Sequence, residues 1–286
     1  MHHGRPSVTA PRTSVPPPAS AGAVGVFAAL LEARTGQHIA ANRVWRIDTA
    51  LRPLLIERGA ASVDELVRQV LSGDDPMLAD RIVDALLNQE TSFFRDGGVI
   101  DAAAEAVASL AQAPRLWCAG CATGQEPLSL AMAFAERGGT LPEIVATDVS
   151  ATAIARGRTG RFSQFEIQRG LPVRRMLRWF TQDGDDWVAD PDLVRGISWR
   201  RQNLVADPAP SGRFDAVLCR NVLFYLAPSL RAKVLDSIAA SLKADGLLVL
   251  GAGETVIGQS ERFVPSRRFR GLYEIAPETK PVYMAR

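Results

Sequence analysis

From Val24 to about Leu87 the apolar positions recur at helical spacing. Phe27, Leu30 and Leu31 share one stripe ended by Gly36, and Val44, Ile47, Leu51, Leu54 and Leu55 share a second, which Pro53 should kink or start. Ser62 and Glu65 stand at capping-box spacing ahead of Leu66, Val70 and Leu71, where each side chain can satisfy a backbone donor left open at a helix start. Leu78, Ile82 and Leu86 predict a fourth helix. The expected organisation is a disordered leader over 1–22, rich in Pro and Ser, a helical domain over 23–88, and a junction with a linker helix over 89–114.

Beyond Gly98 the pattern becomes strands alternating with helices, the signature of a parallel sheet covered on both faces. Strands are expected at Arg115 to Ala119, Glu143 to Thr147, Asp215 to Cys219 and Leu247 to Gly251, with helices at Gln125 to Arg137 and Ser150 to Arg158. A further helix carries Leu230, Val234, Leu235, Ile238 and Leu242 on one side and should stop at Gly246. Gly271 to Ile275 and Val282 to Arg286 are the last strand candidates, close enough to pair antiparallel at a sheet edge. The fold class is α/β: a small all-helical N-terminal domain, then a doubly wound Rossmann-like sheet over 115–286.

Composition adds boundaries. Apolar residues make up 47% of the 286-residue chain, yet no apolar run approaches the roughly 20 residues of a membrane span, so no direct membrane insertion is expected. The N-terminus lacks a secretory h-region, which points to the cytoplasm. Three cysteines, Cys118, Cys121 and Cys219, read as small buried residues of a reducing compartment. A net charge of +2 names no partner, but seven arginines (156, 158, 161, 169, 174, 175 and 178) face one acid, Glu166, in a short stretch. That stretch is either a phosphate- or acid-binding surface or a solvated amphipathic face.

After the first expected strand, Ala119-Gly120-Cys121-Ala122-Thr123-Gly124 forms a glycine-containing turn that opens a helix, where backbone can approach a ligand closely. Asp148 follows Gly124 by twenty-four residues, at the end of the second strand, placed to take both hydroxyls of a ribose. A dinucleotide site would carry G-x-G-x-x-G and welcome pyrophosphate at the helix N-terminus. Here the spacing is G-x-x-x-G, and Gln125 and Glu126 follow at once. A carboxylate there repels phosphate and suits the cationic sulfonium amino acid of S-adenosylmethionine. Cys118-Ala119-Gly120-Cys121 is also a C-x-x-C, but the histidines, His2, His3 and His38, lie far off in sequence, so no metal site is expected.

Three stretches resemble the chemoreceptor (chemotaxis) protein-glutamate methyltransferase family, the CheR type. Gln89-Glu90-Thr91-Ser92-Phe93-Phe94-Arg95 is similar to N-E-T-x-F-F-R, Trp117 to Met132 to W-S-A-G-C-S-T-G-E-E-P-Y-S-L-A-M, and Cys219-Arg220-Asn221-Val222-Leu223-Phe224-Tyr225 to C-R-N-V-L-I-Y. The resemblance implies a small antiparallel β-subdomain inserted at about 161–201. It implies cofactor contacts from Gln89, Thr91, Arg95, Ala119, Gly120, Gln125, Glu126, Asp148, Val149, Asn203, Leu204, Arg220 and Asn221, with Arg95 and Tyr225 nearest the methyl group. It departs at Gln89, where the family has asparagine, at Gln125, where it has glutamate, at Leu128 for tyrosine, and at Gly251-Ala252-Gly253-Glu254 for G-H-S-E. The first two substitutions keep a hydrogen-bonding carbonyl, so altered cofactor affinity is the expectation.

The implied reaction moves a methyl group from S-adenosylmethionine to receptor glutamates, leaving S-adenosylhomocysteine. The expected partner is the cytoplasmic helical domain of a chemoreceptor rather than a nucleic acid. A carboxylate is already ionised at neutral pH, given a reference pKa of about 4.3, so no general base is required. That agrees with a catalytic domain without histidine, His38 being assigned to the helical lobe. Phe93 and Phe94 are expected to pack rather than react. Two other readings remain: a methyltransferase acting on nucleic acid or a small molecule through the arginine stretch, and a cofactor-binding adaptor with weak catalysis, suggested by Gln89 and Gln125.

Overall fold

A computed structural model describes residues 17–39, 44–138 and 140–277, and the chain divides into two compact units. The first comprises described residues up to Leu30 together with those from Val44 to Leu86; the second comprises Leu31–Ile39 and everything from Leu87 onward. Most of the expected leader, and the Val282 to Arg286 strand candidate, fall outside the described residues.

The first unit is helical. Helix α1 (Ala21–Thr35) buries Phe27 and ends at Gly36, whose φ of 74° is the left-handed geometry that favours glycine. Helix α2 (Trp45–Arg58) runs through Pro53 and buries Ile47, Leu51, Leu54 and Leu55 on α3 (Val63–Ser72) and α4 (Leu78–Leu86). Pro53 therefore does not start the helix; it lies inside it. At the head of α3 the Ser62 hydroxyl accepts from the Glu65 N–H (3.3 Å), but Glu65 reaches back to the Ala61 N–H (2.8 Å) rather than to Ser62. Leu71, expected on the buried stripe, is 73% exposed because α3 presents its other face to α2.

The second unit is a doubly wound sheet. Helix α5 (Val99–Leu110) leads into β1 (Arg115–Ala119), α6 (Gln125–Glu136), β2 (Glu143–Asp148) and α7 (Ala151–Thr159). An excursion follows: β3 (Arg161–Ser163), α8 (Gln164–Gln168), α9 (Val173–Trp179), β4 (Phe180–Asp183), β5 (Asp186–Ala189) and α10 (Pro191–Arg195). The chain returns through β6 (Ile197–Arg201), β7 (Phe214–Cys219), α11 (Pro228–Ser241), β8 (Leu242–Leu250), β9 (Phe263–Pro265) and β10 (Tyr273–Ile275).

The main sheet has the order β6-β2-β1-β7-β8-β10-β9, and β3-β5-β4 form a separate antiparallel sheet. Strands β6, β2, β1, β7 and β8 are parallel, whereas β10 runs antiparallel to both β8 and β9. Two expectations are corrected here. The interval 161–201 does not all belong to the small sheet, since its last strand, β6, pairs in parallel with β2 at the edge of the main one. Helix α11 stops at Ser241 rather than near Gly246, and β8 begins at Leu242. Gly246 sits inside β8, where a Cβ would come within 3.0 Å of the Phe214 carbonyl, so its role is close strand approach.

Alternation along the strands separates two cores. Leu116, Cys118, Ile144, Ala146, Ala216, Leu218, Leu247 and Val249 pack under α5, α6 and the small sheet, whereas Trp117, Ala119, Val145, Val217, Cys219, Leu248 and Leu250 pack under Val234, Leu235 and Ile238 of α11. Phe93 belongs to the first core, edge-on to Phe162 at 5.0 Å and Phe180 at 5.5 Å. No described helix is long and apolar enough to cross a membrane.

Candidate active site

Because β1 is followed through α6 by β2 on one side and is flanked by β7 on the other, the strand order reverses between β1 and β7. In such sheets ligands bind in the crevice beyond the strand carboxyl ends at this reversal. A cavity of about 940 Å3, its open mouth included, lies there. Gln89, Thr91, Arg95, Gly120, Glu126, Asp148, Val149, Asn203, Leu204, Arg220, Asn221 and Tyr225 line it, and so bring together most of the expected set.

Two expected residues are not in the lining. Ala119 is 1% exposed and packs with Trp117 and Cys219 under α11, because strand alternation turns it away from the crevice. Gln125 is 2% exposed, and its side-chain oxygen accepts from the Thr123 hydroxyl at 2.8 Å, inside the turn. Its exchange for the family's glutamate therefore does not alter the cavity wall. Conversely, Asn88 and Gln202 line the cavity without having been singled out by the sequence, and Cys121 and Ala122 of the glycine turn line it as well.

The glycines of the turn are required by protein contacts. Gly120 has φ 90°, and a Cβ there would meet Val222 Cγ2 at 2.4 Å; at Gly124, with φ 98°, it would meet the Trp199 ring at 2.6 Å. Hydrogen bonds from the Gly120 and Cys121 N–H groups to the Thr147 carbonyl, 2.8 and 2.9 Å, lock the turn to β2. The Asp148 carboxylate accepts from Ala122 N–H and Ser150 N–H, both at 2.9 Å. A carboxylate oxygen can accept more than one hydrogen bond, so the anchored group retains capacity for a ribose hydroxyl.

All four described non-glycine residues with positive φ gather around this crevice: Phe94 (47°), Asp96 (65°), Ala122 (46°) and Asn221 (60°). Such conformations cost on the order of 1–3 kcal/mol each and mark sites whose geometry the surrounding structure enforces. Asp96 is part of a charge network centred on Arg220, whose side chain is 2% exposed. Arg220 donates to Glu126 (2.9 Å), to Asp96 (2.7 Å) and to the Arg95 carbonyl (2.8 Å). Its Nε is buried without a partner. Burial pushes the Glu126 carboxyl above its ordinary 4.5, although Arg220 pulls the other way.

The loop after β7 is held by one carboxylate. Glu254 accepts from Asn221 N–H (2.7 Å), Gly251 N–H (2.9 Å), Val222 N–H (2.9 Å) and Leu223 N–H (2.8 Å). Two residues later Tyr225 stands half-buried, its hydroxyl accepting from the Asn88 amide and its carbonyl from the His38 N–H (2.9 Å). His38 thus belongs to the catalytic unit rather than the helical one, a correction; its imidazole is within 3.2 Å of Glu32 and is not in the cavity lining. Arg95 donates to the Glu90 carbonyl (3.1 Å) and forms no ion pair among the described residues. Gln89 donates to Ser150 Oγ (3.0 Å), and the Asn203 amide donates to the Arg34 carbonyl (2.9 Å).

Cys118, Cys121 and Cys219 are free and buried, with burial first and nearby carboxylates second pushing all three thiols well up, so they stay protonated. The arginine stretch is largely committed to partners. Arg156 pairs with Glu166, Arg161 with Asp183, Arg169 with Glu90, and Arg175 with Asp101 and Glu136, while Arg158 holds the Trp199 carbonyl. The Arg178 guanidinium lies 4.7 Å from the Trp179 ring centroid.

The donor set fits a nucleoside joined to a zwitterionic amino acid. Asp148 can face a ribose, Glu126 an ammonium, and the unmet Nε of Arg220 a carboxylate or water, while Val149 and Leu204 supply apolar wall. A doubly wound sheet carrying this crevice, with a carboxylate where a pyrophosphate would need none, defines the S-adenosylmethionine-dependent methyltransferases as a class.

Residues 89–269 match the family described as CheR methyltransferase, SAM binding domain. The chain is 34% identical over 248 residues to the chemotaxis protein methyltransferase of Vibrio parahaemolyticus, covering 83% of this chain and 90% of that one. Over the same length and coverage it is 34% identical to chemotaxis protein methyltransferase 1 of Vibrio cholerae, and it is 32% identical over 251 residues to Cher2 of Pseudomonas putida, covering 83% and 91%. The chain belongs to the CheR methyltransferase family, and S-adenosylmethionine is its cofactor.

Proposed function

We propose that the chain methylates glutamate side chains on the cytoplasmic helices of a chemoreceptor, forming γ-glutamyl methyl esters, and works in the cytoplasm. The observation that carries this reading is the presence of both Arg95 and Tyr225 on the wall of one crevice that contains no histidine among its lining residues. Bound S-adenosylmethionine supplies a sulfonium methyl group whose bonding pair departs with sulfur, giving the neutral thioether S-adenosylhomocysteine. A glutamate carboxylate brings its own electron pair, so nothing in the wall has to remove a proton. The remaining task is alignment, worth several kcal/mol and up to roughly 7–11 in the best intramolecular cases.

Arg95 forms no ion pair among the described residues, so its planar fork can grip one carboxylate oxygen while the other attacks. The Glu90 carbonyl, by holding one N–H, fixes the guanidinium plane. Glu126 and Arg220 bind the amino-acid end of the cofactor, Asp148 its ribose, and Val149, Asn203 and Leu204 its base. Four of the arginines in the 156–178 stretch are ion-paired, which leaves that surface poorly suited to a phosphate backbone, so a protein acceptor is preferred over a nucleic acid.

The test is chemical. Incubation with methyl-labelled cofactor and receptors from the same organism should deposit label that alkali releases as methanol. Alkali-stable label would overturn the ester assignment.

Cofactor affinity should also depend on pH through Glu126. Its carboxyl titrates above 4.5 in the free enzyme, and pairing with an ammonium favours the ionised form. Affinity is then full above the raised pKa and falls by up to about tenfold per pH unit below it, until the lower pKa of the complex is reached. Calorimetry with S-adenosylhomocysteine across the acidic range should show this slope, and Glu126→Gln should flatten it. A slope that survives in the variant would assign the titration elsewhere.

A further inference from the structure

We infer that Asn88 is a positioning residue for Tyr225, fixing the direction in which the phenol donates its proton; this rests on the placement of Tyr225 beside the methyl acceptor proposed above. Both residues line the crevice although they are 137 positions apart in the chain. The Asn88 amide nitrogen donates to the Tyr225 hydroxyl oxygen. A phenol offers one proton and accepts through lone pairs, so an amide N–H on the oxygen constrains the O–H rotor and directs the proton away from Asn88.

The Tyr225 backbone is held independently. Its carbonyl accepts from the His38 N–H at 2.9 Å, its own N–H donates to the Val222 carbonyl at 3.1 Å, and Leu226 bridges to Gln37. The ring lies against Phe224, with centroids 4.2 Å apart and the planes tilted by 48°. With backbone and ring in place, the remaining freedom of the hydroxyl is rotation of its hydrogen, and Asn88 is the described side chain that restrains it. The phenolic proton can then meet one oxygen of the attacking carboxylate, leaving the other oxygen on the line to the methyl carbon. No proton changes hands and no bond is made or broken at Tyr225. The hydrogen bond also polarises the O–H, strengthening its donation to an anion.

The experiment is a cycle of Asn88→Ala, Tyr225→Phe and the double variant, assayed in the full chain for methyl transfer and for S-adenosylhomocysteine binding. Asn88→Ala should lower kcat roughly three- to tenfold, the range for one hydrogen bond, with cofactor Kd and KM held within about twofold. The double variant should show the loss of Tyr225→Phe alone rather than the product of both losses. Multiplicative losses, an unaltered kcat, or a matching loss of cofactor affinity would each overturn the inference.

The hydrogen bond is read separately by NMR of ring-labelled tyrosine, where the Tyr225 Cζ resonance should move in Asn88→Ala. An unmoved resonance overturns the bond itself. Failure of the unaltered enzyme to esterify any receptor would instead count against the functional reading, while the resonance still decides the role of Asn88.

Discussion

Glu254→Gln is expected to slow methyl transfer on the order of a hundredfold while weakening the fold by about 2–4 kcal/mol, from several charge-assisted hydrogen bonds lost together. The carboxylate gathers four backbone N–H groups, three of them consecutive in the segment Asn221 to Leu223. That segment includes Asn221 at φ 60° and places Tyr225 two residues beyond the clamp. A glutamine of the same shape keeps one oxygen and presents an NH2 to the donors that the other oxygen had satisfied, so repulsion replaces attraction on one side. The turn is further confined by Gly251, where a Cβ would come within 2.7 Å of the Asn221 amide.

With its clamp weakened, the segment is expected to relax toward negative φ at Asn221, displacing Tyr225 from the crevice. Displacement of a reacting or orienting group by an ångström can itself cost about a hundredfold. Measurement of kcat at saturating cofactor together with urea unfolding checks both halves. A variant within twofold of the unaltered enzyme in kcat would remove Glu254 from the positioning of this loop.

Glu254 also shows where reading the sequence stops. The strands expected at Arg115 to Ala119 and at Asp215 to Cys219, the latter found to start at Phe214, were legible because buried parallel strands are continuous apolar runs, and Asp148 because its distance from the glycine turn follows from one helix and one strand. Nothing in Gly251-Ala252-Gly253-Glu254 signals that its carboxylate reaches back more than thirty residues, because that contact exists only once β7 and β8 lie side by side. The same holds for Asn88. Its neighbour Gln89 drew attention as a departure from a familiar motif, yet Asn88 is the residue whose amide reaches Tyr225.

The misplacements are equally physical. Ala119 and Gln125 sit inside a motif that binds cofactor as a whole, but alternation along β1 and the Thr123 hydroxyl turn these two side chains inward. The end of α11 was set too late because Leu242 continues the apolar helical stripe. Its backbone nevertheless pairs with Phe214, and ladder hydrogen bonding to β7 outweighs one more helical position.

Arg220→Met should be the most damaging single change to the folded state, costing about 3–5 kcal/mol, the range for removing one partner of a buried ion pair. The guanidinium, 2% exposed, stands between the carboxylates of Glu126 and Asp96, whose side chains are 12% and 24% exposed. Methionine fills much of the volume but leaves both anions without their cation. Burial already holds Glu126 above its ordinary 4.5, and Arg220 is the leading influence that lowers it, so its loss raises Glu126 further.

The sign of the pH effect follows. A carboxyl whose folded pKa exceeds its unfolded value binds its proton more tightly when folded, so stability is regained as pH falls through the raised pKa. The deficit of Arg220→Met should therefore be largest at neutral pH and shrink in acid. Adding Glu126→Gln should recover part of the stability at neutral pH, since it removes the stranded charge, yet leave cofactor affinity low because the partner of the ammonium is gone. Urea unfolding at two pH values and calorimetry on the single and double variants separate these effects. If the Arg220→Met deficit is the same at both pH values, or the double variant regains cofactor affinity, the ion pair with Glu126 is not what organises the amino-acid end of the crevice.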